Sequence, residues 1–246
     1  FFNRPNQAAG TYNVVVDGIG GDSGDYEIRY ETAPVDTGFG YWMFKDTASF
    51  SPLGGGATSL AVVAPDDETI YPVALPFSFP FYGATHTSIN LHTNGFGSFD
   101  ALVAGPELYS NDCSLDSSAP FNLIAPFWDD LYSGVSATLK YEIQGTTPFR
   151  RFVIEWADWD VLYCSPSCKS TNSSVTQQAM LYENGDIEFH YGPRSGDASN
   201  ECNTPYLGCS ATVGIRNSNG TDVDQMGCNT EALVAEDMRV YFVAPR

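Results

Sequence analysis

Positive charge is scarce in this chain of 246 residues. It carries 11 Lys and Arg against 30 Asp and Glu, which gives a formal net charge of −19 at pH 7. The lysines, Lys45, Lys140 and Lys169, lie far apart in the sequence. Nucleic acids and anionic membrane surfaces both select clustered Lys and Arg, so the sequence excludes them as partners.

Long apolar runs and helical periodicity are also missing. No apolar stretch reaches the roughly 18 residues that a membrane helix needs, so the sequence predicts no membrane span. Charged residues make up only 17% of the chain, whereas it contains 23 Gly, 15 Pro and 14% aromatic residues. Few charges together with many turn formers and aromatic side chains are typical of an extracellular β protein.

Short alternating strand patterns, broken by Gly, Asn and Asp, run along the whole chain. Residues 12–17 and 26–30 are the first pair, and the glycine-rich turn between them predicts an N-terminal β-hairpin. Residues 32–40 are typical of a linker. We therefore divide the chain into an N-terminal hairpin segment, residues 1–35, and one domain, residues 36–246.

The domain pattern contains about ten short strands with turns at the spacing typical of a β-sandwich. The sequence predicts an all-β fold: an antiparallel, jelly-roll-like sandwich with long disulfide-bearing loops. Asn-Gly pairs at 94–95 and 184–185 predict two tight hairpin turns. Strand 75–81 contains Pro76 and Pro80, which predicts a sheet edge. Only residues 230–237 have a helical pattern.

Six cysteines follow residue 110, in turn-rich segments, and their even number favours disulfides formed in an oxidising compartment. The alternative is a zinc site, which is disfavoured because no Cys-x-x-Cys pair is present. The sequence does not determine the pairing, although Cys164 with Cys168 and Cys202 with Cys209 are the simplest local pairs. The predicted disulfide cysteines are Cys113, Cys164, Cys168, Cys202, Cys209 and Cys228.

Acidic turns suggest calcium as the one candidate cofactor, because calcium prefers carboxylate and carbonyl oxygens in flexible loops. One group lies in the glycine-rich turn of the N-terminal hairpin, and a pair follows strand 123–128. The strict twelve-residue calcium loop is absent, so ordinary acidic turns are the competing interpretation. The candidates are Asp17, Asp22, Asp25, Asp129 and Asp130.

No catalytic set can be assembled from the sequence. Ser23 lies in a Gly-Asp-Ser-Gly stretch typical of serine nucleophiles, but no histidine precedes it and a turn explains the glycines better. His86 and His92 are too far apart on one predicted strand to share a metal. Asp158 and Asp160 resemble a glycosidase pair only in their spacing. We therefore predict that the chain is not an enzyme.

Two triplets match the N-glycosylation acceptor pattern, in which a hydroxyl residue stands two positions after asparagine. They begin at Asn172 and at Asn219. Both lie in predicted exposed loops, where modification is sterically permitted.

Two families resemble parts of this sequence. Residues 9–31, AGTYNVVVDGIGGDSGDYEIRYE, resemble the final hairpin of the bacterial pre-peptidase C-terminal domain, a small secreted β-sandwich. Six stretches in the expected order resemble a nidogen-type extracellular β-sandwich of bacterial secreted and surface proteins. They are DDETIYPVALPFSFPFYG, SINLHTNGFGSF, NLIAPFWDDL, FRRFVIEWADW, QQAMLYENGDIEFHYG and SATVGIRNSNGT.

The second resemblance implies a non-catalytic module of an exported protein and supplies no catalytic residues. We expect a secreted or cell-surface structural or adhesive protein that polymerises into an extracellular filament through its N-terminal strands. Its partners would be further copies of itself or other surface proteins. The alternative function is a non-catalytic accessory domain of a secreted protease or other exported hydrolase.

Overall fold

Two antiparallel sheets form the domain. The structure, a computed structural model, describes residues 40–62, 68–102, 108–113, 115, 120–165, 168–169, 173–196 and 205–245; residues 163–165, 168–169 and 205 are described by their backbone alone. In spatial order, the seven-stranded sheet contains β1 (Trp42–Thr47), β15 (Met238–Val243), β12 (Ile187–Ser195), β11 (Ser174–Tyr182), β8 (Arg151–Val161), β7 (Leu131–Gln144) and β2 (Thr58–Ser59). The six-stranded sheet contains β14 (Val223–Cys228), β13 (Thr212–Arg216), β6 (Leu123–Trp128), β5 (Phe96–Ser98), β4 (Ala84–His92) and β3 (Ile70–Phe81). A small hairpin pairs β9 (Tyr163–Ser165) with β10 (Cys168–Lys169).

This architecture confirms the predicted all-β sandwich. A single 3-10 turn, Pro205–Leu207, is the only helical element of the described residues. The predicted N-terminal hairpin lies outside them. The predicted helix at 230–237 is wrong: its residues form turns whose polar groups bond to distant segments. Val234 N donates to Leu207 O at 3.0 Å, and Asp237 Oδ1 accepts a hydrogen bond from Phe50 N at 2.7 Å.

Aromatic side chains fill the space between the two sheets. Trp156, Trp159 and Phe79 are fully buried in one cluster that draws on both sheets. Burying side chains of this kind contributes roughly 1.5–3 kcal/mol each. Both tryptophans are buried although they are three positions apart, because a β-bulge sets residues 157 and 158 opposite Thr176 alone. Asp158, within this bulge, has a positive φ of 59°.

The predicted edge strand and tight turns are also confirmed. β3 is the outermost strand of the six-stranded sheet, and it tolerates its prolines because an edge strand leaves backbone positions without a ladder partner. Gly95 in the β4–β5 turn has φ +74°, and a Cβ there would collide with the carbonyl oxygen of Phe127. Only glycine therefore fits this turn.

Residues 48–57, which we call the strap, cross the outer face of the seven-stranded sheet from β1 to β2. Leu53 N donates to Glu155 Oε2 at 2.8 Å, and Gln178 Nε2 donates to Ser51 O at 2.9 Å and to Glu155 Oε2 at 2.7 Å. The strap thereby buries a carboxylate and an amide that the strand alternation would otherwise turn toward solvent.

The start of β1 and the end of β15 lie at the same end of the sandwich. β1 and β15 are antiparallel neighbours, and Trp42 lies opposite Val243. We call this the terminal end. The β4–β5 turn and the β6–β7 turn lie at the opposite end, together with the Cys113–Cys228 disulfide, and we call that the disulfide end.

Candidate functional site

The disulfide end contains a network of buried polar side chains that includes the sequence candidates His92 and Asp129. Asn94, in the turn between β4 and β5, organises it. Its Oδ1 accepts a hydrogen bond from Leu131 N at 3.0 Å, and its Nδ2 donates to Leu108 O at 3.3 Å. This one amide therefore joins the β4–β5 turn to the β6–β7 turn and to the segment that leads to Cys113.

His92 is fully buried beside this turn. Its Nδ1 accepts a hydrogen bond from Asn94 N at 3.0 Å, and its ring stacks on Phe96 with centroids 4.7 Å apart. Glu68 Oε2 lies 4.0 Å from its Nε2. Because Nδ1 is an acceptor, the proton of the neutral ring is on Nε2, facing that carboxylate. His92 thus holds the turn in place.

Asp129 is the most perturbed candidate carboxyl at this end. It is 3% exposed, its Oδ2 accepts a hydrogen bond from Ser210 Oγ at 2.7 Å, and its Oδ1 accepts one from Asp130 N at 2.9 Å. Burial raises the pKa of Asp129 to about 7, because these two hydrogen bonds offset the loss of solvation only in part. The carboxyl joins the β6–β7 turn to the segment before β13.

The disulfide between Cys113 and Cys228 joins residues 115 positions apart. Thr212 Oγ1 donates to Cys228 Sγ at 3.0 Å. Leu108 and Leu115, which lie on either side of Cys113 in the sequence, pack into a second apolar cluster that is separate from the core between the sheets. Its buried members are Phe96, Leu115, Leu123, Ala125 and Trp128.

The remaining predicted cysteines are described less completely. Cys209 is disulfide-bonded, and its partner is not among the described side chains. Cys228 is the last residue of β14, and Cys164 and Cys168 lie in β9 and β10. The expectation that every cysteine lies in a turn-rich segment is therefore wrong for these three. The side chains of Cys164, Cys168 and Cys202 lie outside the described residues, so the two local pairings stay predictions.

Of the calcium candidates, the structure describes Asp129 and Asp130 alone. Asp17, Asp22 and Asp25 lie outside the described residues. Asp129 is engaged with Ser210 and with its own turn. Within the described parts of the chain, no three side chains of His, Cys, Asp or Glu form a group that could hold a metal ion.

The glycosylation and catalytic candidates are described only in part. Asn172 and Ser23 lie outside the described residues, whereas Asn219 is exposed in the turn between β13 and β14. His86 and His92 both belong to β4, as predicted. His86 packs against Phe99, with ring centroids 4.8 Å apart. Asp158 lies at the β8 bulge.

Sequence reasoning missed Gln177, a polar residue fully buried in β11. Its register neighbours are Trp156 and Tyr191, which donate hydrogen bonds across the core to His92 O and Pro126 O. Neither the nitrogen nor the oxygen of the Gln177 amide has a hydrogen-bond partner in the described structure. The adjacent pair Gln177–Gln178 in a strand was the available signal, since one of two consecutive residues must face inward.

We expect Gln177→Leu to stabilise the protein by about 1 kcal/mol, because it removes an amide that is buried without partners. Gln178→Leu is the matched control: it breaks bonds to Ser51 and Glu155 and leaves a buried carboxylate short of a donor, so it should destabilise by about 2 kcal/mol. Urea unfolding of both variants measures the two effects. Destabilisation by Gln177→Leu would show that the amide is satisfied by bound water.

The sequence was compared with models of protein families. The family model described as NIDO related matches residues 40–240, which covers most of the chain. The comparison with curated proteins finds no match, and neither does the comparison with solved structures. The described residues contain no helix long and apolar enough to cross a membrane. Domains of this family are typically extracellular, and their fold is a non-catalytic structural one. The chain belongs to the NIDO-related family.

Proposed function

We propose that this protein is a secreted or cell-surface structural or adhesive subunit that self-associates into an extracellular filament through its N-terminal strands. The observation that carries the proposal is the position of β1. It is the outermost described strand of the seven-stranded sheet, and the segment predicted to be a hairpin joins the domain immediately before it.

Tyr41, which directly precedes β1, is held firmly by the domain. Asp224 Oδ2 accepts hydrogen bonds from Tyr41 N at 3.2 Å and from Tyr82 Oη at 2.7 Å. The rings of Tyr41 and Tyr82 pack edge to face, with centroids 4.9 Å apart. Tyr41 therefore ties β1 to β14 and to the β3–β4 turn, so the N-terminal segment leaves the domain from a fixed point.

The sheet edges differ in how well they would accept an added strand. β3 contains three prolines, which lack the N–H that a ladder needs. The opposite edge of the seven-stranded sheet ends in the two-residue strand β2. β1 has no proline and exposes Lys45, whereas residues 12–30 carry four acidic residues and one arginine, a net charge of −3. If an N-terminal strand of another copy added to β1, its acidic residues would come close to Lys45.

The chemistry of the described residues supports an extracellular, non-catalytic role. A disulfide persists in oxidising compartments, which fits secretion. Asp129, the carboxyl with a strongly raised pKa, is engaged in joining two loops. The alternative, an accessory domain of a secreted hydrolase, shares these features but requires no self-association.

Introducing one lysine into the N-terminal segment tests whether this segment mediates assembly. The alternation of Tyr12, Val14 and Val16 predicts one apolar hairpin face, and the same alternation predicts Asn13 and Val15 on the other face. We expect Val14→Lys to abolish filaments, because it buries a charge at the contact, and Asn13→Lys, which adds the same charge one position away, to leave them. Electron microscopy and light scattering of the full chain provide the measurement.

Two outcomes would contradict the proposal. If the wild-type chain is monomeric at high concentration with salt and calcium present, the protein does not polymerise and the accessory role is favoured. If Val14→Lys and Asn13→Lys assemble equally well, the contact does not use the apolar face of the hairpin.

A further inference from the structure

The turn between β13 and β14 presents one asparagine in an unusual way. Asn219 is exposed, and its Oδ1 accepts hydrogen bonds from Thr221 N at 3.1 Å and from Thr221 Oγ1 at 2.7 Å. Its Nδ2 donates no hydrogen bond within the described structure. The side chain is thus fixed through its oxygen while its nitrogen faces solvent.

Most other described asparagines use that nitrogen internally; Asn229 is an exception, and the residue at its second following position is Glu231, not a hydroxyl residue. The Nδ2 atoms of Asn90, Asn94, Asn122, Asn184 and Asn217 all donate to protein acceptors. The side-chain nitrogen of Asn219 is therefore accessible where theirs are engaged. Asn219 is also followed at the second position by the hydroxyl of Thr221, as the acceptor pattern requires.

We propose that Asn219 is an acceptor site for an N-linked glycan. The donor would be an oligosaccharide carried on a polyprenyl diphosphate, and the transfer would be catalysed by an oligosaccharyltransferase. A bond forms between Asn219 Nδ2 and the anomeric carbon of the first sugar. The bond between that carbon and the diphosphate oxygen breaks, the diphosphate leaves with the electron pair, and Nδ2 loses one proton.

The position gives the glycan a physical role. The turn leads directly into β14, the outermost described strand of the six-stranded sheet on the side opposite the proline-containing β3. A bulky hydrated group at the start of β14 blocks the approach of a foreign strand, much as the prolines do at β3. Both edges of this sheet are then protected. The inference is independent of the proposed filament.

Peptide mapping by mass spectrometry tests the site. The full-length chain is secreted from cells that contain an oligosaccharyltransferase, and the peptide containing residues 217–222 is measured before and after enzymatic removal of N-glycans. We expect a glycan mass on this peptide that is lost in Asn219→Gln and in Thr221→Ala but retained in Thr221→Ser, which keeps the hydroxyl. Asn172→Gln is the control and should leave the peptide modified.

An unmodified peptide in secreted wild-type protein overturns the proposal. So does a modification that persists in Thr221→Ala, because transfer to asparagine requires the hydroxyl residue. Thr221→Ser guards against loss of folding as the cause, since it preserves the hydrogen bond to Asn219 Oδ1.

Discussion

Replacing Cys113 and Cys228 by alanine is expected to lower the free energy of unfolding by about 4 kcal/mol. The disulfide joins residues 115 positions apart, and a cross-link over such a distance removes much of the conformational entropy of the unfolded chain. The same change releases the cover of the apolar cluster that contains Phe96 and Trp128. Urea unfolding, followed by the fluorescence of the tryptophans, measures the loss.

Single variants and a nearby control variant separate the loss of the bond from other effects of the substitutions. The single variants Cys113→Ala and Cys228→Ala should each lose about as much stability as the double variant, because either change removes the same bond. Thr230→Ala is a matched control near the bond: its exposed hydroxyl donates to Cys228 O, so its removal should cost less than about 0.5 kcal/mol. A loss below about 1 kcal/mol in the double variant would contradict the role assigned to the disulfide.

Acidification from pH 8 to pH 5 is expected to stabilise the wild-type protein relative to Asp129→Asn. Burial raises the pKa of Asp129 from 3.8 to about 7 in the folded state. A raised carboxyl pKa means that the folded protein holds the proton more tightly than the unfolded chain does. The stabilisation is complete below about pH 4 and is lost as the pH rises toward 7, by about 1.4 kcal/mol per pH unit at most.

The amide of the Asp129→Asn variant cannot ionise, so the variant lacks this slope, and the amide can still bond to Ser210 Oγ. The measured quantity is the difference in unfolding free energy between wild type and variant at several pH values, which cancels the contributions of other carboxyls. We expect the variant to be more stable than wild type at pH 8 by about 2 kcal/mol, because the wild type must then bury a charge. Asp130→Asn should keep most of the slope. A pH-independent difference would contradict the prediction.

The same pair of proteins tests calcium at this turn. If calcium binds through Asp129, added calcium must hold the carboxylate ionised, and it will stabilise the wild type at pH 8 but not Asp129→Asn. The hydrogen bond from Ser210 favours the opposite result, in which calcium leaves both proteins unchanged.

Local patterns in the sequence were sufficient to predict much of the fold. Strand 123–128 was predicted with the bounds observed for β6. Asn-Gly turns and proline positions carry this information because they act over a few residues. The strands β1 and β14 were missed, since the first directly follows a predicted linker and the second mixes polar residues with a glycine.

The candidate site was predicted less well, because its contacts join residues that are distant in sequence. Asp129 was a candidate, but its partner Ser210 lies 81 positions away, and no local pattern connects them. The pairing of Cys113 with Cys228 depends on the antiparallel register of β13 and β14, which the sequence does not specify. The strap over Glu155 was equally hidden, because its polar contacts come from backbone groups.

The pairing of Trp42 with Val243 also determines how the domain would respond to tension. A pull applied to the residues before β1 and after β15 acts on neighbouring points, so the hydrogen bonds of this ladder would break one after another rather than all together. The hydrogen bonds of Tyr41 and Tyr82 to Asp224 lie at the place where that separation would begin. The mechanical strength of the domain under such a pull therefore depends on this small junction more than on the large aromatic core.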